Sequence, residues 1–213
     1  MTCRSASPIL PAMKTRILRI AAASVVGLLI AAGIAWWQVR NASRTVVESS
    51  VPIGGPFTLT DHTGRTVTDA DYRGRFLLIY FGYTYCPDVC PTELGTMARA
   101  LDLLGGQADK VQPLFVSVDP ERDTVAHLAG YVGLFHPRLV GLTGTPEQVR
   151  AMARTYRVYY AKAPQKDAKP DEYLMDHSSF LYLMGPDGRF LGVYPAGTTA
   201  DRVAQDLGDR IAG

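Results

Sequence analysis

Several features that mark common classes of protein are scarce or absent in this sequence. Three cysteines among 213 residues are too few for a scaffold held together by disulfides. Charged residues make up only 20% and hydrophobic residues 47%, which excludes a disordered chain and permits a packed core. No internal repeat is visible, and the length fits one or two globular domains.

An excess of basic residues is also missing from most of the chain. Residues 1–50 contain six of the 22 lysines and arginines but only one of the 20 acidic residues. Residues 51–213 therefore carry 16 basic and 19 acidic residues, so the net charge of +2 comes from the N-terminal region. Nucleic-acid binding needs a basic patch or stripe. We therefore expect no nucleic-acid partner.

One long apolar run is present at residues 20–37, which read IAAASVVGLLIAAGIAWW. Its 18 residues are about the minimum for a membrane-spanning helix. Four basic residues precede the run, and Trp36 and Trp37 close it in the manner of interfacial anchors. The run predicts a transmembrane anchor, with a cleaved signal peptide as the alternative.

The charges that flank this run also predict the topology, because the more basic flank of a membrane span stays in the cytoplasm. We expect a single-pass protein of the inner membrane whose main domain lies on the periplasmic, non-cytosolic side. The predicted segments are a cytoplasmic tail (1–19), the transmembrane anchor (20–37), a polar linker (38–50) and one folded domain (51–213).

Strands and helices alternate along the main domain. The apolar runs Phe76–Tyr83 and Val111–Val118 are typical of strands buried on both faces, and a helical pattern at Thr92–Leu104 lies between them. The other predicted elements are hairpins at Phe57–Thr68 and Phe180–Tyr194, helices at Thr124–Phe135, Pro146–Tyr156 and Asp201–Ile211, and a short strand at Leu139–Leu142. This order predicts an α/β fold, a mixed sheet flanked by helices. A strand, a cysteine loop, a helix and a strand in succession indicate a thioredoxin-like fold.

Two cysteines lie where the first buried strand meets its helix, in YFGYTYCPDVCPTEL. Cys86 and Cys90 each precede a proline, and a residue before proline is pushed toward extended geometry. Since Pro91 suits the first position of a helix, we expect Cys86 in the loop and Cys90 at or near the helix N-cap. The helix dipole then predicts that the thiolate of Cys90 in particular forms more easily than that of a free cysteine.

On the residues alone, this cysteine pair has three interpretations. A structural disulfide would close so small a loop that it would stabilise the fold little. A redox pair and a pair of metal ligands both need thiolates, and the carboxyl end of a central strand is a place where sites form. Two thiolates rarely complete a metal site, so a third ligand must come from elsewhere in the chain.

Four histidines are available as a third ligand. His62, His127 and His136 fall in a predicted turn, a helix and a helix end, where surface or capping roles are the simplest interpretation. His177, in YLMDHSSFLYLM, stands at the start of a predicted strand just after a lysine-rich loop, Ala161–Glu172. Its spacing alone favours a structural role.

Two further motifs carry soft or polar groups. Met175 and Met184 are soft donors, but their positions favour core packing. The segment VDPERDT, Val118–Thr124, is either a solvated helix start or a polar shelf that positions the cysteine loop. Asp176 is a candidate to orient His177 as a hydrogen-bond partner, or it faces solvent.

Taken together, YFGYTYCPDVCPTEL, VSVDPERDT and DEYLMDHSSFLYLMGPDGRF resemble the Sco/SenC family. Its members are membrane-anchored, thioredoxin-like copper proteins of cytochrome c oxidase assembly. The resemblance covers residues 51–213 and the N-terminal anchor. It implies that Cys86, Cys90 and His177 bind copper, and that the two cysteines also form a redox-active pair able to close as a reversible disulfide.

The function that this resemblance implies is that of a copper metallochaperone. It would deliver Cu(I) or Cu(II) to the binuclear copper site in subunit II of cytochrome c oxidase, or reduce the cysteines of that site. Other copper or thiol-redox proteins of the same compartment are further expected partners. Two thiolates suit Cu(I) and an imidazole accommodates Cu(II), although the same ligands would also hold zinc. A membrane-anchored thiol–disulfide oxidoreductase and a peroxidase or redox sensor remain as alternatives.

Overall fold

The computed structural model describes Gly27 and residues 31–33, 52–164 and 172–213. The predicted tail (1–19) and linker (38–50) lie outside the described residues, and so does the predicted anchor (20–37) apart from Gly27 and residues 31–33, which are helical. Within the described part of the chain, no helix combines the length and the apolar character needed to cross a membrane. The chain divides into two compact units, Met1–Thr45 and Val46–Gly213, and the second contains the main domain.

A seven-stranded mixed sheet forms the centre of the main domain. Its strands are β1 (Thr58–Asp61), β2 (Thr66–Thr68), β3 (Phe76–Gly82), β4 (Val111–Ser117), β5 (Val140–Thr143), β8 (Phe180–Met184) and β9 (Phe190–Pro195). They lie in the order β2-β1-β5-β4-β3-β8-β9. The pairs β3–β4 and β4–β5 are parallel, and the others are antiparallel. The predicted mixed sheet is therefore confirmed.

The helices that flank the sheet are α1 (Val89–Leu104), α2 (Val125–Val132), α3 (Pro146–Thr155) and α4 (Ala200–Ala212), with 3-10 turns at Asp69–Tyr72 and Gly105–Lys110. The last three α-helices each follow a threonine whose hydroxyl accepts a backbone N–H of the first turn, the usual N-cap bond. Helix α1 packs against α4, while α2 contacts β5 and α3 contacts β1.

The hydrophobic core lies on both faces of the two central strands. Every residue of β4 and all but the first residue of β3 are buried, as expected for strands covered by helices on both sides. Tyr80, Phe81 and Phe115 have no exposed surface. This packing makes the carboxyl end of β3 a rigid base for the loop that follows it.

Three segments meet at one edge of the sheet. Because β3 and β4 are parallel, with Gly82 opposite Ser117, the loops after both strands leave the sheet at the same edge. Strand β8 is antiparallel to β3, with Leu181 opposite Tyr80, so the chain enters β8 from that edge as well. Sites in open α/β sheets form at this carboxyl edge.

The lysine-rich segment differs from its prediction as a loop. Its first residues belong to β6 (Tyr160–Pro164), which pairs antiparallel with β7 (Tyr173–His177), with Tyr160 opposite His177. Residues 165–171 lie outside the described part of the chain. The two strands pair with each other as a separate two-stranded sheet, which we call the ribbon. The sequence indicated a loop because this segment is rich in lysine and proline. Each strand of the ribbon is short and lacks an apolar run, so no strand pattern was visible. His177 consequently ends β7 rather than opening β8.

Candidate metal centre

The cysteine loop (Tyr83–Cys90) connects the buried end of β3 to α1. Cys86 lies in its turn, where its backbone N–H is 3.3 Å from the Tyr83 carbonyl oxygen. Helix α1 begins at Val89, with Asp88 as N-cap, so Cys90 is its second residue, near the N-cap as predicted. Pro91 is tolerated as the third residue because the first backbone N–H groups of a helix need no carbonyl partner. The helix therefore starts three residues before the predicted Thr92.

The two cysteines occupy different environments. The Cys90 sulfur is fully buried, whereas Cys86 is half-buried. The Asp88 side chain makes no capping bond, and the backbone N–H of Cys90 instead donates to the Cys86 sulfur, 3.4 Å away. Behind the pair, the Tyr80 hydroxyl donates to the Cys90 sulfur across 3.8 Å. Burial raises the pKa of Tyr80, which keeps this hydroxyl a donor.

His177 completes the group from the far end of the ribbon. Its Nε2 lies 3.4 Å from the Cys90 sulfur, and the ligand atoms of Cys86, Cys90 and His177 are all within 4.8 Å of one another. The imidazole ring sits edge-on to the rings of Tyr80 and Tyr83, with centroids 6.0 and 5.8 Å away. The structure thus brings together three residues that the sequence separates by up to 91 positions, from Cys86 to His177.

The electrostatics of the pair contradict the expectation that the Cys90 thiolate forms more easily than that of a free cysteine. The hydrogen bond from the Cys90 thiol lowers the pKa of Cys86, and burial opposes this effect. Further hydrogen bonds, from His177 and from the backbone N–H groups of Asp88 and Cys90, lower the pKa again, to about 3. The same bond to Cys86, followed by burial, raises the pKa of Cys90. The helix terminus does favour a thiolate, but its N–H groups point at the Cys86 sulfur.

Gly82 makes room for the buried sulfur. A Cβ atom at this position would lie 2.9 Å from the Cys90 sulfur and equally close to ring atoms of Tyr80 and Phe115. Real side chains do not approach that closely, so any larger residue here would displace Cys90 or the aromatic rings around it.

The remaining histidines and methionines lie elsewhere. His62 Nδ1 accepts the backbone N–H of Gly141, and His136 Nδ1 accepts that of Arg138. His127 is exposed at the start of α2 and stacks on Tyr85, with ring centroids 5.1 Å apart. Met175 and Met184 are buried in the core, and Asp176 is exposed.

Sequence reasoning did not predict the aromatic rings beside His177, and it did not decide between two interpretations of the segment after β4. Tyr80 and Tyr83 belong to an apolar run that indicated only a buried strand. Asp123, in VDPERDT, accepts hydrogen bonds from the Ser117 hydroxyl (2.6 Å), the Thr84 hydroxyl (2.6 Å) and the Thr84 backbone N–H (3.1 Å). Burial raises the pKa of this carboxyl group. The only signal in the sequence was the density of polar residues directly after a buried strand.

The sequence was compared with models of known protein families. The family model described as SCO1/SenC matches residues 47–212. The chain belongs to the SCO1/SenC family.

Similar proteins in this family include one that covers nearly the whole chain and solved structures that cover three quarters of it. The bovine (Bos taurus) mitochondrial SCO2 homolog is 41% identical over 223 residues, which span 99% of this chain and 80% of that protein. Copper-bound ScoI of Arabidopsis thaliana is 43% identical with a TM-score of 0.70, covering 75% of this chain and 98% of that one. Copper-bound ScoI of Bradyrhizobium japonicum is 47% identical with a TM-score of 0.69, covering 75% and 99%. The family predicted from the motifs and the thioredoxin-like fold are confirmed.

The donor set of this SCO1/SenC protein fits a soft metal ion. Three ligands bound at about 2.0–2.3 Å around one ion lie about 3.5–4 Å from each other. The 3.4 Å between the Cys90 sulfur and His177 Nε2 is close to that spacing. Two sulfurs and one imidazole nitrogen are the donors that copper and zinc prefer over hard oxygen ligands.

Proposed function

We propose that this SCO1/SenC protein carries copper as its cargo, bound by Cys86, Cys90 and His177, and acts as a metallochaperone in cytochrome c oxidase assembly. The observation that supports the proposal is the convergence of two sulfurs and one imidazole nitrogen within 4.8 Å at the carboxyl edge of the sheet. Two similar solved structures are described as holding copper, which favours copper over zinc as the ion.

Each ligand contributes differently to binding. Cys86 supplies its thiolate more readily than Cys90, because the hydrogen bond from Cys90 lowers the pKa of Cys86 and raises that of Cys90. Cys90 must release its proton as copper binds, so loading the site is coupled to proton release. His177 Nδ1 lies 3.2 Å from the Ser178 carbonyl oxygen, which can only accept. In the ring that binds the ion, the proton is therefore on Nδ1 and Nε2 is the ligand nitrogen.

The proposed partner is the copper-site domain of cytochrome c oxidase subunit II. The proposal also includes a single transmembrane anchor at residues 20–37 in the inner membrane and a main domain on the non-cytosolic side. The relatives named mitochondrial are consistent with an inner-membrane location. An anchored main domain would meet the subunit II site in the same compartment.

Anaerobic copper titration of the reduced chain tests the site. We expect about one copper ion per chain, lost in Cys86→Ser and Cys90→Ser and bound more weakly in His177→Ala. The Cu(II) absorption spectrum should change in His177→Ala because one of its ligands is gone. Variants that hold copper with unchanged affinity and spectrum would overturn the proposed ligand set.

A second function, reduction of the partner's disulfide, is favoured by the inverted ionisation of the cysteine pair. The Cys86 thiolate attacks one sulfur of that disulfide and the other sulfur leaves as a thiolate, which takes up a proton. Cys90 then loses its proton and attacks Cys86 in the mixed disulfide. The partner's dithiol is released and the Cys86–Cys90 disulfide remains. Two electrons pass from this chain to the partner.

Thiol exchange with a model disulfide separates this activity from copper carriage. Cys86→Ser should abolish mixed-disulfide formation, and His177→Ala should retain it, since the imidazole takes no part in the electron transfer. Full exchange activity in Cys86→Ser would exclude Cys86 as the attacking residue. Rapid sulfenic acid formation with peroxide would instead favour the peroxidase or redox-sensor alternative.

A further inference from the structure

Five residues after β4, four of them charged, lie between the two halves of the candidate site. The segment Asp119–Asp123, which we call the bridging segment, is a tight turn in which the backbone N–H groups of Arg122 and Asp123 both donate to the Asp119 carbonyl oxygen. Its side chains contact the cysteine loop on one side and the ribbon on the other. The proposed ligand set does not use any of these residues.

The ribbon needs such a contact because the main sheet does not hold it. Strands β6 and β7 hydrogen-bond to each other, and the seven-stranded sheet does not include them. Yet β7 ends in His177, whose imidazole must stay within reach of two sulfurs that are fixed to the central strand. Something other than strand pairing has to set the position of β7.

Arg122 contacts β7 at Tyr173, four residues before His177. Its guanidinium carbon lies 3.7 Å from the centroid of the Tyr173 ring, and Nη1 donates to the Tyr173 carbonyl oxygen across 3.0 Å. Asp119 closes the group: one oxygen pairs with Arg122 Nε at 2.5 Å and the other accepts the Tyr173 hydroxyl at 2.8 Å. Asp119 and Tyr173 are buried, and the Arg122 side chain is 16% exposed.

The same segment holds the cysteine loop. The Arg122 guanidinium lies 4.7 Å from the ring centroid of Tyr85, the residue before Cys86. Asp123 accepts two hydrogen bonds from Thr84. A cation between two aromatic rings, one from each half of the site, fixes both rings relative to one planar group.

We propose that the cluster of Asp119, Arg122 and Tyr173 is the positioning device that keeps His177 at its distance from Cys86 and Cys90. This inference rests on the proposed copper site and concerns how its third ligand is held. Four residues of strand span about 13 Å, and a paired strand transmits a displacement along its length. A shift of Tyr173 is thus passed to His177 while the cysteines stay on the central strand.

Copper loss from the reduced whole chain to an excess of a Cu(I) chelator tests the size of the effect. Arg122→Met keeps an aliphatic stem but removes the charge, the fork of donors and the stacking plane. We expect copper to leave about tenfold faster, as is typical when a group that orients a metal ligand is lost. Arg122→Lys should rescue only part of the loss, because an ammonium group does not form the fork.

Tyr173→Phe tests the route of the effect. It removes one oxygen and keeps the ring under Arg122, so it is the variant least able to disturb folding. Copper loss should be about fivefold faster, the net worth of one ordinary hydrogen bond. In a His177→Ala background the same change should have no further effect, because the cluster acts through His177. A purely structural role would give independent, additive effects.

The matched control is Glu121→Gln. Glu121 lies in the same bridging segment and its carboxylate is 2.7 Å from Lys162 on the ribbon, but both side chains are largely exposed. This pair should contribute little. Copper loss from Glu121→Gln should match that of the unaltered chain.

A copper-free measurement separates failure of this inference from failure of the copper site. In the reduced apo chain, the ring signals of His177 by nuclear magnetic resonance should shift in Arg122→Met and stay unchanged in Glu121→Gln. If His177→Ala does not loosen copper, the proposed ligand set fails, and the ring signals still decide whether the cluster holds His177. If His177→Ala loosens copper but neither the ring signals nor the loss rate respond to Arg122→Met and Tyr173→Phe, the positioning role is overturned.

Discussion

The cysteine loop and the histidine-bearing ribbon reach the same point by different means. The loop continues directly from β3, whose residues are buried on both faces, and Cys90 is fully buried within it. The ribbon lies outside the main sheet and is held by hydrogen bonds, an ion pair and stacked rings. Hydrophobic packing thus fixes the cysteine half of the candidate site, whereas the ribbon, which packs only Tyr173 and Met175 of β7 into the core, also depends on polar contacts.

The largest expected effect is a difference in alkylation rate between the two cysteines of the loop. The hydrogen bond from Cys90 lowers the pKa of Cys86, and the same bond together with burial raises the pKa of Cys90, so Cys86 is the residue that ionises first. Iodoacetamide at about pH 6 should modify Cys86 at least about a hundredfold faster than Cys90. Mass spectrometry of the digested protein measures both rates.

The control for this prediction is a variant of the ribbon, His177→Ala. In His177→Ala, Cys86 should remain the faster residue, since the imidazole supplies only one of the hydrogen bonds to its sulfur. An alkylation rate at Cys86 that climbs about tenfold per pH unit from about pH 6 to about pH 8 would be that of an ordinary thiol. That result would contradict the ionisation described for the loop.

The next effect tests how tightly the packed half is built. Gly82→Ala places a methyl group 2.9 Å from the Cys90 sulfur and two aromatic rings. Overpacking of this kind should lower the free energy of unfolding by about 1–3 kcal/mol, measured with chemical denaturant. Gly95→Ala is the matched control, because its Cβ would meet nothing within 4 Å on α1. That change should be neutral or stabilising by up to about 1 kcal/mol.

Acid should lower the free energy of unfolding through a carboxyl group of the main sheet. Burial raises the pKa of Asp61 in β1, but hydrogen bonds from Thr63 and Arg65 outweigh it and bring the pKa down from 3.8 to about 2. A lowered carboxyl pKa stabilises the fold above about pH 4, and the contribution is lost as pH falls toward about 2. Asp61→Asn should therefore cost about 2 kcal/mol of unfolding free energy at neutral pH.

The difference between Asp61→Asn and the unaltered chain should shrink as pH falls below about 4, the sign that follows from a depressed pKa. Copper retention by the folded variant should not change, since β5 and β4 separate β1 from β3, the strand that leads into the cysteine loop. Equal stability of the two proteins at neutral pH would rule out the ascribed role of these hydrogen bonds.

The smallest effect concerns the backbone that leads into the ribbon. Arg157 has φ of 58°, in the left-handed region, between α3 and β6. Arg157→Gly relieves this strain but frees the unfolded chain, so the unfolding free energy should change by less than about 1 kcal/mol. The ribbon should nonetheless loosen, seen as faster hydrogen exchange of the Ser178 N–H, which donates to the Tyr159 carbonyl oxygen at 3.0 Å. Unchanged exchange would mean that the ribbon is held without this turn.

The same contrast explains what the sequence could and could not predict. Strands β3 and β4 match their predictions to within a residue because continuous apolar runs have few other solutions. The ribbon was missed because its stability comes from contacts with the bridging segment, which leave no periodic pattern. The N-terminal prediction for residues 20–37 stays a prediction.

The candidate site divides in a similar way. The prolines correctly indicated a loop-to-helix junction at Cys86 and Cys90. The prediction that the Cys90 thiolate forms easily was wrong, because ionisation depends on which sulfur the helix N–H groups face and which one is buried. Spacing could not link His177 to the cysteines, since 87 residues separate it from Cys90 and only the family resemblance joined them.

The unequal exposure of the two sulfurs gives any exchange of cargo a direction. A thiolate arriving from a partner meets the half-buried sulfur of Cys86 first, because Cys90 is covered by Tyr80 and the end of β3. At the proposed site, an ion leaving by ligand substitution would be handed over from the outside inward, with Cys86 replaced early and Cys90 releasing last. The order of these steps follows from how deeply each of the two sulfurs is buried, although they lie only four residues apart at the N-terminus of α1.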